Sequence, residues 1–349
     1  MLIFYLGTRS ARRSKIGIAP MTTPTIYVFA PDLSHPLGGM RMLYRHVDIL
    51  NANGFPAYIV HNSPRFQIDW FEHSTPVLRG KIAMNLDDIA VYSEIGGLNI
   101  SQWAQGKRAV VFNQNCYYTF SRYPMEGRVR TPYMQPEVIA TLVVSEDSKR
   151  YMQWVFPNLP IYRIRYSINP KLYFPQEKKK QICFMPRKNK EDAKQVLYLL
   201  RYRKKLAGWT IREIKDMSEA RAAEIIRESA IFMSFGHPEG FGLPPAEAMA
   251  AGCIVVGYHG NGGREFFTPQ HGFPIEVGDI LGYAHTMERL LEEYERDPPR
   301  LMRIAGDAGR FVRDVYSREA EKHSIIAAWE RILAQPPSPS LAPRQTPLT

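Results

Sequence analysis

Two carboxylates, Glu239 and Glu247, stand eight positions apart in the stretch EGFGLPPAE. Between them lie Gly240, Phe241, Gly242, Leu243 and two prolines. Upstream, the apolar run Ala230 to Phe235 reads as a buried strand. Downstream, proline favours the first helical turn, so a helix is expected to begin near Pro244. A helix start offers free N–H groups and partial positive charge, and Gly240 and Gly242 would let an anion approach the main chain closely. The loop is therefore a phosphate seat. Glu247, expected in the first turn of the helix, could accept two hydrogen bonds from a vicinal diol such as a ribose. Glu239 would face what lies beyond the phosphates. The bland alternative is a surface carboxylate and a helix-start acid favoured by the dipole.

Further residues gather at other predicted strand ends. Arg187 follows the apolar strand Ile182 to Met185, with Lys188 and Lys190 close behind. Gly38 and Gly39 close the loop PDLSHPLGG between a strand, Ile26 to Ala30, and a helical pattern from Met40 to Asn51. Gly260, Gly262 and Gly263 lie in the loop HGNGGRE after the strand Cys253 to Tyr258. Asn113, Gln114 and Asn115, with Tyr117, Tyr118 and Phe120, follow the strand Ala109 to Phe112. Amides and aromatics suit a sugar-binding wall, and serve equally as satisfied core polar groups. His35 and His61 lie near loop ends, in no specific motif. The sequence contains no Asp-x-Asp and no cysteine spacing typical of metal sites, so no metal ligand is assigned.

The positioning elements alternate strand with helix, which indicates parallel sheets. Ala57 to Val60, Ile89 to Tyr92 and Ala140 to Val144 extend the first sheet, and Ser145 to Ser148 carry helix-start chemistry. A second sheet begins near Gln181, with a helix from Glu191 to Leu206 and strands at Trp209 to Ile214, Ala230 to Phe235 and Cys253 to Tyr258. The proline-bearing segment Ile168 to Pro175 divides the halves. The expected organisation is a disordered extension over 1–20, a domain over 21–168, a second over 169–315, a last helix within 316–335, and a disordered tail over 336–349.

The chain has 349 residues and a net charge of +11. Much of the excess lies between Lys178 and Lys205, and three causes compete: a diphosphate seat, anionic lipid headgroups, or nucleic acid. Nucleic acid is not expected, because neither an aromatic stacking motif nor a recognition helix is present. Cys116, Cys183 and Cys253 read as buried thiols of a reducing compartment. No apolar run approaches a membrane span. The expected location is cytoplasmic, with peripheral contact at the inner membrane surface as a variant.

The Glu239 to Glu247 stretch resembles the Glu-x7-Glu signature of retaining glycosyltransferases of the GT-B fold, the family 4 group in particular. The resemblance implies two Rossmann-like domains facing across a cleft, with a C-terminal helix crossing back onto the first. It implies a donor that is a nucleotide-diphosphate sugar, an acceptor that is a sugar or lipid-linked sugar, and no further cofactor. Glu247 would hold the ribose; Gly240, Phe241, Gly242 and Leu243 would line the diphosphate and sugar; Glu239 would orient the donor. Arg187 would grip the diphosphate, with Lys188 or Lys190 replacing a lysine the family carries where this chain has Asp192. Gly38 and Gly39 would border the diphosphate from the facing domain, and Gly263 would shape the cleft. The implied chemistry is hexosyl transfer by same-face displacement, without a metal. Two rivals remain: a nucleotide-sugar-binding subunit without turnover, and a basic membrane or nucleic-acid-binding protein.

Overall fold

The computed structural model describes residues 23–335, apart from 35, 36 and 128. The segments expected to be disordered, 1–20 and 336–349, and also His35, lie outside the described residues.

In the first domain, β1 (Ile26–Phe29), α1 (Gly38–Ala52), β2 (Ala57–His61), β3 (Val77–Arg79), β4 (Ile89–Ser93), α2 (Ile100–Trp103), β5 (Arg108–Asn113), β6 (Val138–Val143), α3 (Glu146–Val155) and β7 (Ile161–Arg163) follow in order. The sheet has the order β3-β2-β1-β4-β5-β6-β7, and every pairing is parallel. Strand β5 is buried along its whole length, which explains its unbroken apolar run. Helix α3 starts as its sequence indicates: Ser145 accepts from the Ser148 amide, and Glu146 and Asp147 occupy the first turn. Strands β3 and β7 were not foreseen. Each has three residues, too few to show alternation.

The second domain contains β8 (Lys179–Phe184), α4 (Lys190–Tyr202), β9 (Thr210–Glu213), α5 (Glu219–Glu228), β10 (Ser229–Ser234), α6 (Leu243–Ala250), β11 (Ile254–Gly257), β12 (Phe273–Pro274), α7 (Ile280–Arg296) and α8 (Pro298–Val315). Its order is β12-β11-β10-β8-β9, again parallel throughout. Helix α4 ends four residues before the expected Leu206. The reason is a Schellman closure: Lys204 adopts φ 57°, its amide meets Arg201 O at 3.0 Å, and the Lys205 amide meets Leu200 O at 3.0 Å. A lysine in the left-handed region, where glycine is usual, left no sequence signal.

The last helix, α9 (Arg318–Leu333), lies against α1, β6 and β7 of the first domain. Its buried face is Ile325, Ala328, Trp329 and Ile332. Trp329 donates from Nε1 to His46 Nε2 at 2.7 Å, and Arg45 pairs with Glu321 at 2.6 Å. The Ile168 amide bonds Tyr316 O at 3.0 Å where the two crossing segments meet. Cys116, Cys183 and Cys253 are free and buried.

Candidate active site

Open parallel sheets bind ligands outside the carboxyl ends of their strands, at the point where strand order reverses. In the first sheet that point lies between β1 and β4, and in the second between β8 and β10. The segments leaving these four strands carry Gly38 and Gly39, which open α1 and do not end the preceding loop as expected, then Glu94, Arg187 and Lys188, and Glu239 to Gly242. They face one another across a cavity of about 530 Å³ that is lined by both domains.

On the second-domain side, Gly242 has φ 93° and immediately precedes α6, a backbone that only glycine adopts without strain. The helix begins at Leu243, one residue before Pro244, so Glu247 is its fifth residue and opens the second turn, not the first. Pro244 and Pro245 carry no amide hydrogen, which narrows the expected seat to the loop. Among the described residues, the amides of Phe241, Gly242 and Leu243 meet no protein acceptor. Gly240 is also obligatory: a side chain there would collide with the Gln114 carbonyl of the facing domain. Phe241 reaches the cavity, but its ring belongs to an aromatic cluster with Tyr166, Phe266 and Tyr316 at centroid distances of 5.7, 5.1 and 5.0 Å.

Glu239 is pinned through its backbone, its amide bonding Gly260 O at 2.7 Å while its carbonyl accepts from Gly262 at 3.1 Å. Its carboxylate meets Lys188 Nζ at 3.0 Å and Arg187 Nη2 at 3.4 Å. Arg187 is 59% exposed at the side chain, while Lys188 is largely buried, with its ammonium 5.4 Å from the centre of the Tyr118 ring. Asn189, which the sequence did not single out, fixes this loop by donating to Phe235 O at 2.8 Å and His237 O at 3.2 Å. Lys190 opens α4 and borders the cavity. Asp192 instead accepts from Tyr258 OH at 2.7 Å, a structural bond behind the loop.

Glu247 is 5% exposed and already engaged. Arg41 of α1 donates to its Oε1 at 2.8 Å from Nη2, and Nη1 of the same guanidinium pairs with Glu219. Burial, and then the Glu247 carboxylate beside it, hold the Tyr173 phenol well above its usual value. Neither Arg41 nor Glu219 had a motif to reveal it.

On the first-domain side, a side chain at Gly38 would meet Leu243 at 3.0 Å, so these residues touch across the cleft. Gln114 donates to Gly39 O at 3.1 Å, and Asn115 to Pro238 O at 3.2 Å. Tyr118 borders the cavity with them. The rest of the expected wall is elsewhere. Asn113 is buried, donating to Thr119 at 2.8 Å and Tyr133 at 3.0 Å; Tyr117 donates to Asp147 at 2.7 Å; Phe120 packs on Tyr123. Gly263 does not border the cavity either. It is buried in a tight turn, with its amide on His259 O at 3.0 Å, because the loop folds back beneath Phe266. The following Glu265 braces the domains: it accepts from the Glu146 amide at 2.9 Å and from Tyr316 OH at 2.7 Å, and pairs with Arg163.

Burial lowers the His259 pKa, and Arg264 beside it acts in the same direction. Burial pushes Glu94 up to about 7. Among the described residues no three His, Cys, Asp or Glu side chains are grouped to hold a metal ion, and no helix is long and apolar enough to cross a membrane.

Two Rossmann-like domains with facing switch points define the GT-B architecture. Residues 200–306 match the family model described as Glycosyl transferases group 1, a span that contains Glu239 and Glu247. The chain is 28% identical over 193 residues to an alpha-1,6-glucosyltransferase of Actinobacillus pleuropneumoniae serotype 7 (strain AP76), covering 53% of this chain and 56% of that one. The match thus spans about half the length of that relative. Among solved structures it is similar in fold to sucrose-phosphate synthase of Thermosynechococcus elongatus, with TM-score 0.65, 12% identity and coverage of 89% and 99% of the two chains. Anabaena Alr3699/HepE, solved in complex with UDP and glucose, gives TM-score 0.61 at 12% identity, covering 88% and 100%.

Proposed function

We propose that this protein transfers a hexose from a nucleotide-diphosphate sugar to a hydroxyl of a glycan or glycolipid, with retention and without a metal. The observation that carries the reading is the meeting of both switch points at one cavity, where Glu239 lies between Lys188 and Arg187 and the glycine loop leads to Glu247. The loop amides of Phe241, Gly242 and Leu243 would take the phosphates, and Glu247 the ribose. Glu239 would orient the donor sugar. The leaving diphosphate gains negative charge, and Arg187, Lys188 and Lys190 supply preorganised positive charge for it. UDP-glucose is the first donor to try, given the glucosyltransferase relative and the UDP and glucose bound to the Anabaena protein.

Retention and metal independence rest on the resemblance of the Glu-x7-Glu motif and on the lack of Asp-x-Asp. The acceptor oxygen forms its bond to the anomeric carbon on the face the diphosphate leaves, and its proton passes to a leaving phosphate oxygen. The test is release of UDP from UDP-glucose by the purified chain, with and without EDTA, and the anomeric configuration of the product. Turnover unaffected by EDTA with an α-linked product is expected. Loss of turnover on chelation, restored by a divalent ion, would overturn metal independence, and a β-linked product would overturn retention.

A further inference from the structure

Glu94 had no place in the motifs, yet it occupies the first domain's switch point. It follows β4 directly, and β4 and β1 flank the crevice where the strand order reverses. Six acidic residues border the cavity among the described residues, and Glu94 is the one supplied by the first domain; Glu213, Asp216, Glu219, Glu239 and Glu247 all come from the second.

Its surroundings hold it in a single position. The Ser93 hydroxyl donates to Oε2 at 2.9 Å, and the Gln114 amide donates to the same oxygen at 3.1 Å. Gln114 in turn reaches Gly39 through its side chain, and its carbonyl abuts Gly240 of the donor loop. Asn115, the next residue, bonds Pro238, which precedes Glu239. One peptide segment therefore separates Glu94 from the donor loop. Glu94 is a buried carboxylate on the wall of a largely apolar cavity, held by the Ser93 hydroxyl and the Gln114 and Asn115 amides, and a carboxylate keeps lone pairs for a further donor from the cavity side.

Building on the glycosyl-transfer reading, we infer that Glu94 binds a hydroxyl of the acceptor and sets its orientation opposite the donor sugar. The occupant it fits is a polyol edge: a sugar hydroxyl can donate to Oε1 while Tyr118, on the same wall, offers a ring face. On its protein side Glu94 acts on Tyr133, Tyr166 and Cys116, all raised by burial and so uncharged near neutrality, while across the cavity stand the charged groups Arg41, Arg187, Lys188, Lys190, Glu239 and Glu247. Burial pushes Glu94 up to about 7, so acceptor binding should strengthen as pH rises through about 7 and the carboxylate ionises.

The experiment compares wild type, Glu94→Gln and Glu94→Asp in three measurements: UDP affinity by calorimetry, UDP release from UDP-glucose with water as acceptor, and the same with octyl glucoside. Glu94→Gln keeps a partner for Ser93 and Gln114, so it should fold, whereas Glu94→Ala leaves the Gln114 amide bare. The expected result is UDP affinity and melting temperature near wild type, at least a tenfold rise in KM for octyl glucoside, and loss of the rising pH limb. Glu94→Asp should recover part of the affinity. If wild type does not use octyl glucoside, the loss should appear in UDP release to water. An unchanged acceptor KM and unchanged UDP release would overturn the role of Glu94, as would a fall in UDP affinity parallel to melting temperature, which marks a structural carboxylate. Failure of wild type to bind UDP or release it would overturn the underlying transferase reading instead, and this inference with it.

Discussion

Arg41, in the first turn of α1, donates from Nη2 to Glu247 Oε1 at 2.8 Å, so the first domain holds the carboxylate that the Glu-x7-Glu motif assigns to the ribose. The same guanidinium pairs with Glu219. One cation thus ties α1 to both α5 and α6 across the cleft. On the proposed function, an incoming ribose would share Glu247 with Arg41 or displace it, and Glu219 gives the displaced guanidinium a second partner.

Arg41→Ala should destabilise the chain by about 3 kcal/mol, because it strands the buried Glu247 carboxylate without its partner. Denaturant unfolding of Arg41→Ala, Glu247→Ala and the double variant checks this. The double variant should lose at least about 1 kcal/mol less than the sum of the two single variants. Additive losses would mean the pair contributes nothing as a pair.

Arg187 and Lys188 should divide along charge and burial. Arg187, open to solvent, is free to turn toward a diphosphate; its replacement by Ala should weaken UDP while leaving uridine nearly unchanged. Lys188 also holds Glu239 and the Tyr118 ring. Lys188→Ala should therefore lower turnover as well as UDP affinity, and by the larger factor. Calorimetric titration of both ligands, with initial rates, separates the two. Equal losses for UDP and uridine in Arg187→Ala would remove it from the diphosphate.

The elements were legible wherever a strand was long enough to leave an apolar run, and the candidate loop stood out because it is contiguous in sequence. Glu239, Gly240, Gly242, Leu243 and Glu247 all lie within nine residues. What faces them was not legible. Arg41, Glu94 and Glu219 are ordinary charged residues on three separate elements, and only the closing of the two sheets on each other makes them neighbours. Gly263 misled for the opposite reason: glycine marks tight turns in buried loops as readily as beside ligands. Asn189 carried a faint signal, since a left-handed N-cap at φ 48° suits asparagine, but its bonds to Phe235 and His237 depend on the fold.

His46 predicts a pH dependence of stability. It is fully buried, accepts from Trp329, and burial lowers its pKa to about 3 from 6.5. Above about pH 6.5 the ring is neutral in the folded and unfolded chain and adds no pH dependence. As pH falls below that value the unfolded chain takes up the proton and the folded one does not, so stability falls by up to about 1.4 kcal/mol per pH unit until the folded ring titrates near 3. His46→Gln, whose amide oxygen can still accept from Trp329, should flatten the curve between pH 6 and 4 (roughly that window). Identical slopes for variant and wild type in urea unfolding would show that His46 is not the group responsible.

The most direct measurement is the calorimetric titration of UDP into wild type and Glu247→Ala, since the ribose contact is the centre of the proposed site. Wild type should bind UDP, and Glu247→Ala should bind it at least about tenfold more weakly, the loss of a charge-assisted pair of hydrogen bonds worth about 1.5 to 3 kcal/mol. Equal affinity in the two proteins, or no binding of UDP by wild type, would contradict the assignment of the EGFGLPPAE loop to a nucleotide-diphosphate donor.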